Sequence, residues 1–437
     1  MCVARRGDLL KTRRPWWAWL FFYATPPPGV TPHHWQVLGA LGATYLFNSY
    51  DLGVLNMALP QIQAGLGVPE TQVGLLAGIV RLGVLPALAL TMFADRVGRR
   101  RLLLVTVLGF SACTFLTSFC RNASEFIFLQ FMARMFIYSQ EMLAIVVITE
   151  ELDASARGWG IGMLIAFGGL GHGLAAAVFS TVDFLPYGWR ALYFVGFAPL
   201  LLTVWMRRVL TETRRFTAHQ RERGSLEVAW LDPLRELITR YPVRVAALTA
   251  ALFPVAVAGG TIVQFQSKFL QAERGYSPGE VSVLFLAGGV LAIGGGLLCG
   301  LASDRFGRRR VLSAAILVNT LAAVGFYRGL GAIVPLAWVG VIFTQFGIDV
   351  LFAALGSELF ATSHRSTASG VRSLVATLGI AAGLACEGLL YTAFGNHGQA
   401  VAAMAVCALA GPVFLLWMVP ETAGRELEEI AGDSRAA

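Results

Sequence analysis

The chain has 437 residues, of which 56% are hydrophobic and only 14% charged, with a formal net charge of +8 and a mean hydropathy of +0.65. A soluble domain of this length needs far more charge to cover its surface, so a water-soluble globular fold is excluded. Charge-free runs from Leu102 to Cys120, Val245 to Ser267, Val281 to Ser303, Gly331 to Ile348 and Gln399 to Val419 are each long enough to cross about 30 Å of hydrocarbon. They do not alternate polar and apolar residues, which excludes a membrane β-barrel. An all-α membrane protein remains, because helices satisfy their own backbone polar groups in lipid.

In chain order, residues 1–36 carry Arg5, Arg6, Lys11, Arg13 and Arg14 and then PWWAWLFFYA. The basic and apolar parts are similar to a secretory signal, but the apolar run is only about ten residues and Pro26-Pro27-Pro28 ends it. It reads as a cytoplasmic segment with an aromatic anchor in the membrane interface. Twelve spans are predicted: 37–59, 72–94, 101–120, 124–148, 158–182, 189–210, 243–270, 279–302, 310–329, 332–358, 366–394 and 399–419. The first six form one half, 37–210, and the last six a second, 243–419. Between them lies an Arg-rich linker, 211–242, broken by Gly224 and Pro233; residues 420–437 form a tail.

Lys and Arg fix the expected orientation, since they concentrate on the cytoplasmic side. With the N-terminus inside, 27 of them fall in cytoplasmic segments and five outside: Arg121, Arg190, Lys268, Arg274 and Arg328. That asymmetry accounts for the basic balance with no nucleic-acid partner. Five of the six cysteines, all but Cys2, sit in apolar runs without metal-ligand spacing and read as small packing residues.

One phrase occurs twice. Residues 94–104 read ADRVGRRRLLL and residues 303–313 read SDRFGRRRVLS, each in the loop after the second span of its half. At an offset of 208, Glu141 matches Asp349, Glu150 matches Glu358 and Arg157 matches Arg365. Two six-helix halves in parallel repeat form a transporter architecture. The phrase resembles the loop motif of the major facilitator superfamily, Gly-x-x-x-Asp-Arg-x-Gly-Arg-Arg. The second copy fits at Gly300, Asp304, Arg305, Gly307, Arg308 and Arg309; the first carries Asp95, Arg96, Gly98 and Arg99 but opens on Thr91 instead of Gly. Small residues at Thr91 and Gly300 suit close helix approach. Physically the phrase suits a breakable brace: an Asp at a helix end meets a neighbouring helix N-terminus, Gly permits a tight turn, and the arginines pair across the cytoplasmic interface or hold anionic lipid. Arginines that merely set topology are the alternative. Glu150, Arg157, Glu358 and Arg365 are the expected gate partners. GWRALYFVGFAPLLLTVWMRRVLTETRRF, PETAGRELEEI and GSELFATSHRSTASG are similar to motifs shared by sugar, organic-ion and metabolite porters of that family.

Charges inside spans are costly and point to function by default. Asp51, Arg81, Arg134 and His172 lie at similar depth in the first half. Asp51 and Arg134 resemble the acid–base pair of proton-coupled porters. The hold of such an Asp on a proton depends on its dryness and on the distance of the Arg. A static buried ion pair is the bland alternative. His172 suits a proton relay or a carbonyl-bonded structural role. Arg81 offers a bidentate fit to a carboxylate or phosphate, or else neutralises Asp51. Glu141 and Asp349, Glu387, and the amides Gln264 and Gln266 complete the expected substrate-binding set.

The resulting expectation is an all-α, twelve-helix transporter of the major facilitator fold. It would move a small polar metabolite, an organic anion favoured by Arg81, by alternating access with proton symport. A sugar or polyol symporter, an exporter and a transporter-like sensor are the alternatives. No metal box, nucleophile elbow or phosphate loop suggests an enzyme. The expected partners are the lipid bilayer and a small-molecule substrate. No cofactor is expected beyond the proton gradient. The expected setting is a bacterial cytoplasmic membrane, with both termini inside and the chain a monomer.

Overall fold

The computed structural model describes residues 15, 17–18, 26–92, 98–153, 156–209, 232–361 and 364–423. Among these, eleven helices are long and apolar enough to cross a membrane. They are α2 (Glu70–Thr91), α3 (Arg99–Thr117), α4 (Ala123–Glu151), α5 (Arg157–Phe179), α6 (Trp189–Arg208), α7 (Pro242–Gln264), α8 (Pro278–Phe306), α9 (Arg308–Arg328), α10 (Ile333–Glu358), α11 (Arg365–Phe394) and α12 (His397–Met418). The first span is α1, Pro32–Met57, whose 26 residues extend about 39 Å. Asn48, Ser49 and Asp51 dilute its apolar character, and all three are buried against protein. Twelve crossing helices therefore stand as the spacing predicted.

Helix starts follow local chemistry. Thr31 caps α1, its hydroxyl accepting from His34 N, and Pro32 takes the first helical position. The helix thus begins five residues before the predicted boundary at 37. Ser277 and Glu280 form the same reciprocal box at α8.

Bilayer-embedded helices gain little from apolar contact alone, so small residues that let backbones approach carry the packing. A Cβ at Gly171 of α5 would stand 2.1 Å from the Leu46 carbonyl of α1, and one at Gly53 would stand 2.7 Å from Ala175. Helix α1 lies along α5, α3 along α4, α7 along α11, and α10 along α8 and α9. The halves meet through α2 against α11 and α5 against α8. At the first of these seams, a Cβ at Gly74 would lie 2.1 Å from Leu384 O, and one at Gly388 would lie 2.2 Å from Thr71 O. This seam closes the end of the bundle remote from the Arg-Arg-Arg loops, called the far end below.

The expected interfacial anchor is modified. The Trp17 ring centroid lies 5.3 Å from that of Trp35, edge to face, and 5.4 Å from that of Phe167, so it packs on α1 and α5 rather than standing in headgroups alone. Most of the predicted linker lies outside the described residues. Its last part is a helix, Asp232–Arg240, whose Glu236 pairs with His364 at 3.2 Å. The tail is described only to residue 423. Cys113, Cys120, Cys299, Cys386 and Cys407 are free; Cys386 and Cys407 are exposed on helix surfaces, unlike the packed cysteines expected.

Candidate functional site

Helix α2 is interrupted at Leu82-Gly83. A Cβ at Gly83 would stand 2.5 Å from Phe131 O and 2.8 Å from Arg134 Cβ, so only glycine lets α2 cross α4 there. The crossing leaves Arg81 as the last residue of its helical segment, beside Arg134. Arg134 is the hub of the first half, buried to 1% exposure. Its Nη1 lies 3.4 Å from Asp51 Oδ2. The other Asp51 oxygen accepts from Thr114 Oγ1 of α3 at 3.1 Å, while Oδ2 has no hydrogen-bond partner within the protein. Arg81, Glu141 and His172 all lie within electrostatic reach of Arg134. The four charges singled out at similar depth gather around the Arg134 guanidinium, with Glu141 about two turns further along α4 but within its electrostatic reach. His172 is exposed, and its Nδ1 meets Gly168 O at 3.2 Å, the structural contact foreseen as its alternative.

Across the halves, Arg81 Nη2 donates to Gln264 Oε1 at 3.2 Å. Helix α7 ends at Gln264 and continues only as a short turn, Gln266–Lys268, and a π-helical segment, Phe269–Glu273. The break turns the two amides to different partners: Gln266 Oε1 accepts from Trp338 Nε1 of α10 at 3.2 Å. Arg81 Nε, Gln264 Nε2 and Gln266 Nε2 have no hydrogen-bond partner within the protein. In the second half Asp349 bonds to Gln345 and faces Arg372 of α11. Arg372 falls inside the predicted span 366–394 but was not singled out there; its side chain runs beside Gly356 of α10.

Glu387 does not join either group. Helix α11 carries it to the far end, where its Oε1 lies 2.6 Å from His397 Nδ1. His397 Nε2 reaches Glu70 Oε2 at 2.8 Å, and the same oxygen lies 2.7 Å from Lys268 Nζ. Its carboxylate is engaged in a chain of charges linking α11, α12, α2 and the end of α7, apart from the other residues expected to bind substrate. Glu70, Lys268 and His397 went unnoticed in the sequence because each stands at a helix end, where charge is ordinary. One signal was available: Lys268 is one of only two lysines in the chain.

The repeated loops share one geometry. Gly98 has φ 104° and ψ 137°, and Gly307 has φ 101° and ψ 140°, a region that favours glycine. Arg99 pairs with Glu150 and Arg308 with Glu358, the latter at 3.1 Å. Both pairs stay within their own half, so they do not bridge the interface as expected. Asp95 and Arg96 lie outside the described residues. Asp304 pairs with Arg308 at 2.7 Å, and Arg305 lies over the Phe306 ring. Arg157 Nε donates to Leu152 O, while Arg365 Nε has no partner within the protein. A Cβ at Gly300 would meet nothing within 4 Å, so no close helix approach occurs there. The tail motif completes the second loop: Glu421 Oε1 accepts from Arg308 N at 2.7 Å, and Thr422 Oγ1 donates to Glu358 at 2.6 Å. Glu421 thus caps α9 at its positive end.

Two six-helix halves, a charged layer between them and braced loops at one end define a membrane transporter. The family model of the Major Facilitator Superfamily matches residues 41–355 and 260–435, and the chain belongs to that family. A probable 4-methylmuconolactone transporter of Cupriavidus pinatubonensis is 26% identical over 92% of this chain and 94% of its own length. The sialic acid transporter NanX of Escherichia coli is 22% identical over 89% and 94%. Among solved structures, the inward-open xylose transporter XylE of E. coli covers 91% of this chain and 99% of its own, with a TM-score of 0.73 at 17% identity.

Proposed function

We propose that this transporter carries a small organic anion into a bacterial cell together with a proton. The observation that carries the reading is the Arg81–Gln264 contact with its spare donors. A buried donor without an acceptor costs about 1–3 kcal/mol, and a carboxylate supplies acceptors and countercharge together. Arg81 belongs to one half and Gln264 to the other, so a solute held there is gripped by both and released as they rock. Support comes also from the relatives, since 4-methylmuconolactone and sialic acid are both carboxylic acids.

Asp51 is the proton carrier in this reading. Its Oδ2 is free of hydrogen bonds and 3.4 Å from Arg134, near enough for attraction and open enough to accept a proton. Protonation releases Arg134 toward Glu141 or the solute. The basic loops face the cytoplasm, both termini lie inside, and the far end faces out. The linker 211–242 is cytoplasmic, the chain acts as a monomer, and the proton gradient is its energy source. A sugar or polyol symporter is the second reading, favoured by the spare amides of Gln264 and Gln266.

The test is pH recording in lightly buffered, de-energised cells given pools of organic acids and then of sugars. Alkalinisation with an acid pool, lost in Asp51→Asn cells, is expected. For the solute so identified, Arg81→Gln weakens apparent affinity about ten- to hundredfold, and a neutral analogue far less. A response to sugars alone, or equal weakening for charged and neutral solutes, overturns the anion reading.

A further inference from the structure

The two His397 contacts in the far-end chain of charges are both satisfied at only one proton count. Glu387 is fully buried, and its Oε2 has no hydrogen-bond partner within the protein. His397 presents both ring nitrogens to carboxylate oxygens, at 2.6 Å to Glu387 and 2.8 Å to Glu70. Its ring is held between Tyr391, at 4.2 Å, and Phe265, at 5.1 Å. An ionised carboxylate only accepts, and a neutral imidazole has a single N–H. With both carboxylates ionised and the ring neutral, one short contact would set two lone pairs against each other. Both are hydrogen bonds only when the set holds one further proton. That proton also offsets charge where it costs most: without it the fully buried Glu387 carboxylate stands beside a neutral ring.

The other groups at this site do not supply the balance. Lys268 is already paired with Glu70 and bonded to Gln63. Glu273 accepts from Asn396 Nδ2 and Gly398 N, adding a further negative charge. The Tyr327 hydroxyl donates to Ile262 O. Glu70 stands on the first half, and His397, Glu387 and Lys268 stand on the second, so opening the far end parts Glu70 from both of its partners.

We propose that Glu387, His397 and Glu70 form a proton-binding outer gate, whose closed state holds one proton from the outer medium and whose opening follows its loss. The proposal rests on the orientation given above, which makes the far end the outer one. The gate proton enters and leaves on the same side. It therefore sets how often the outer face opens without adding to the driving force, a task separate from that of Asp51.

The test reads the gate directly and needs no solute. Spin labels are placed at Phe184, 87% exposed beyond α5, and at Leu330, 71% exposed between α9 and α10. The full chain, with its native cysteines replaced by serine, is reconstituted in nanodiscs, and the label distance is followed from about pH 5.5 to about pH 8.5, spanning the usual histidine range. One short distance is expected at acid pH, with a longer population growing at alkaline pH by up to about tenfold per pH unit. Glu387→Gln, neutral like a protonated carboxyl, keeps the short distance throughout; Glu70→Gln gives a second reading should the first variant fail to fold. Asp51→Asn leaves the pH response as in the parent. A distance indifferent to pH, or a Glu387→Gln protein that responds like the parent, overturns the gate. Loss of the response in Asp51→Asn alone also overturns it, while leaving the anion-symport reading standing.

Discussion

Replacing Gly74 by Ala should bias the protein away from its closed outer face. The alanine Cβ would stand 2.1 Å from Leu384 O, where ordinary contact begins near 3.4 Å. The atom met is backbone, so α2 and α11 must part by more than an ångström. Alanine favours helix, so α2 itself is not weakened. Overpacking of this kind costs about 1–3 kcal/mol, and it falls only on the conformation in which the seam is shut. The ratio of closed to open outer faces then drops about fivefold to more than a hundredfold. Ser267 reports the change, because it is fully buried and its Oγ bonds Met57 O across the halves at 2.6 Å. A cysteine placed there should react with a membrane-impermeant maleimide in intact cells at least fivefold faster in the Gly74→Ala background, with the Gly74→Ala protein lacking that cysteine as the blank. Unchanged labelling together with unchanged uptake would refute the backbone-to-backbone seam.

Three further outcomes follow from the same geometry. Asp51→Asn should abolish uphill uptake and preserve solute exchange, with a loss of about 3–5 kcal/mol in stability from the orphaned Arg134; adding Arg134→Gln should restore melting temperature but not coupling, as thermal scans and counterflow can check. Gly307→Ala combines a φ of 101° with a Cβ 2.6 Å from Glu421 Oε2, so it should lower the melting temperature by more than Gly331→Ala, whose added Cβ meets nothing within 4 Å. Arg372→Gln should depress transport severalfold while leaving a spin-label distance across the outer face unchanged, since Arg372 faces Asp349 and not the far-end chain; a changed distance would show that it acts through the gate.

What was legible in the sequence follows from how each signal is written. A guanidinium in an apolar run stands out, and Asp51, Arg81, Arg134 and His172 did assemble into one layer. The repeat was legible down to the backbone, as the matching dihedral angles of Gly98 and Gly307 show. The outer network was not, because His397 and Glu70 are 327 residues apart and each looks like a loop charge taken alone. Arg372 was missed for a related reason: it lies two turns inside α11, near the basic loop end, where an arginine reads as one more topology charge. The division of labour between Gln264 and Gln266 depended on where α7 breaks, which periodicity does not locate.

The contact between Glu421 and the start of α9 sets an order of assembly. The carboxylate that satisfies the Arg308 N–H is made 113 residues later than the residue it caps. While the chain is being synthesised, α8 and α9 enter the bilayer with their connecting loop incomplete, and Glu358 waits likewise for Thr422. The second half therefore reaches its final shape at its loop end only after α12 has crossed and brought the tail back. Until then the positive end of α9 stands open to water and lipid headgroups, while the Arg308 side chain already has Asp304 and Glu358 as partners.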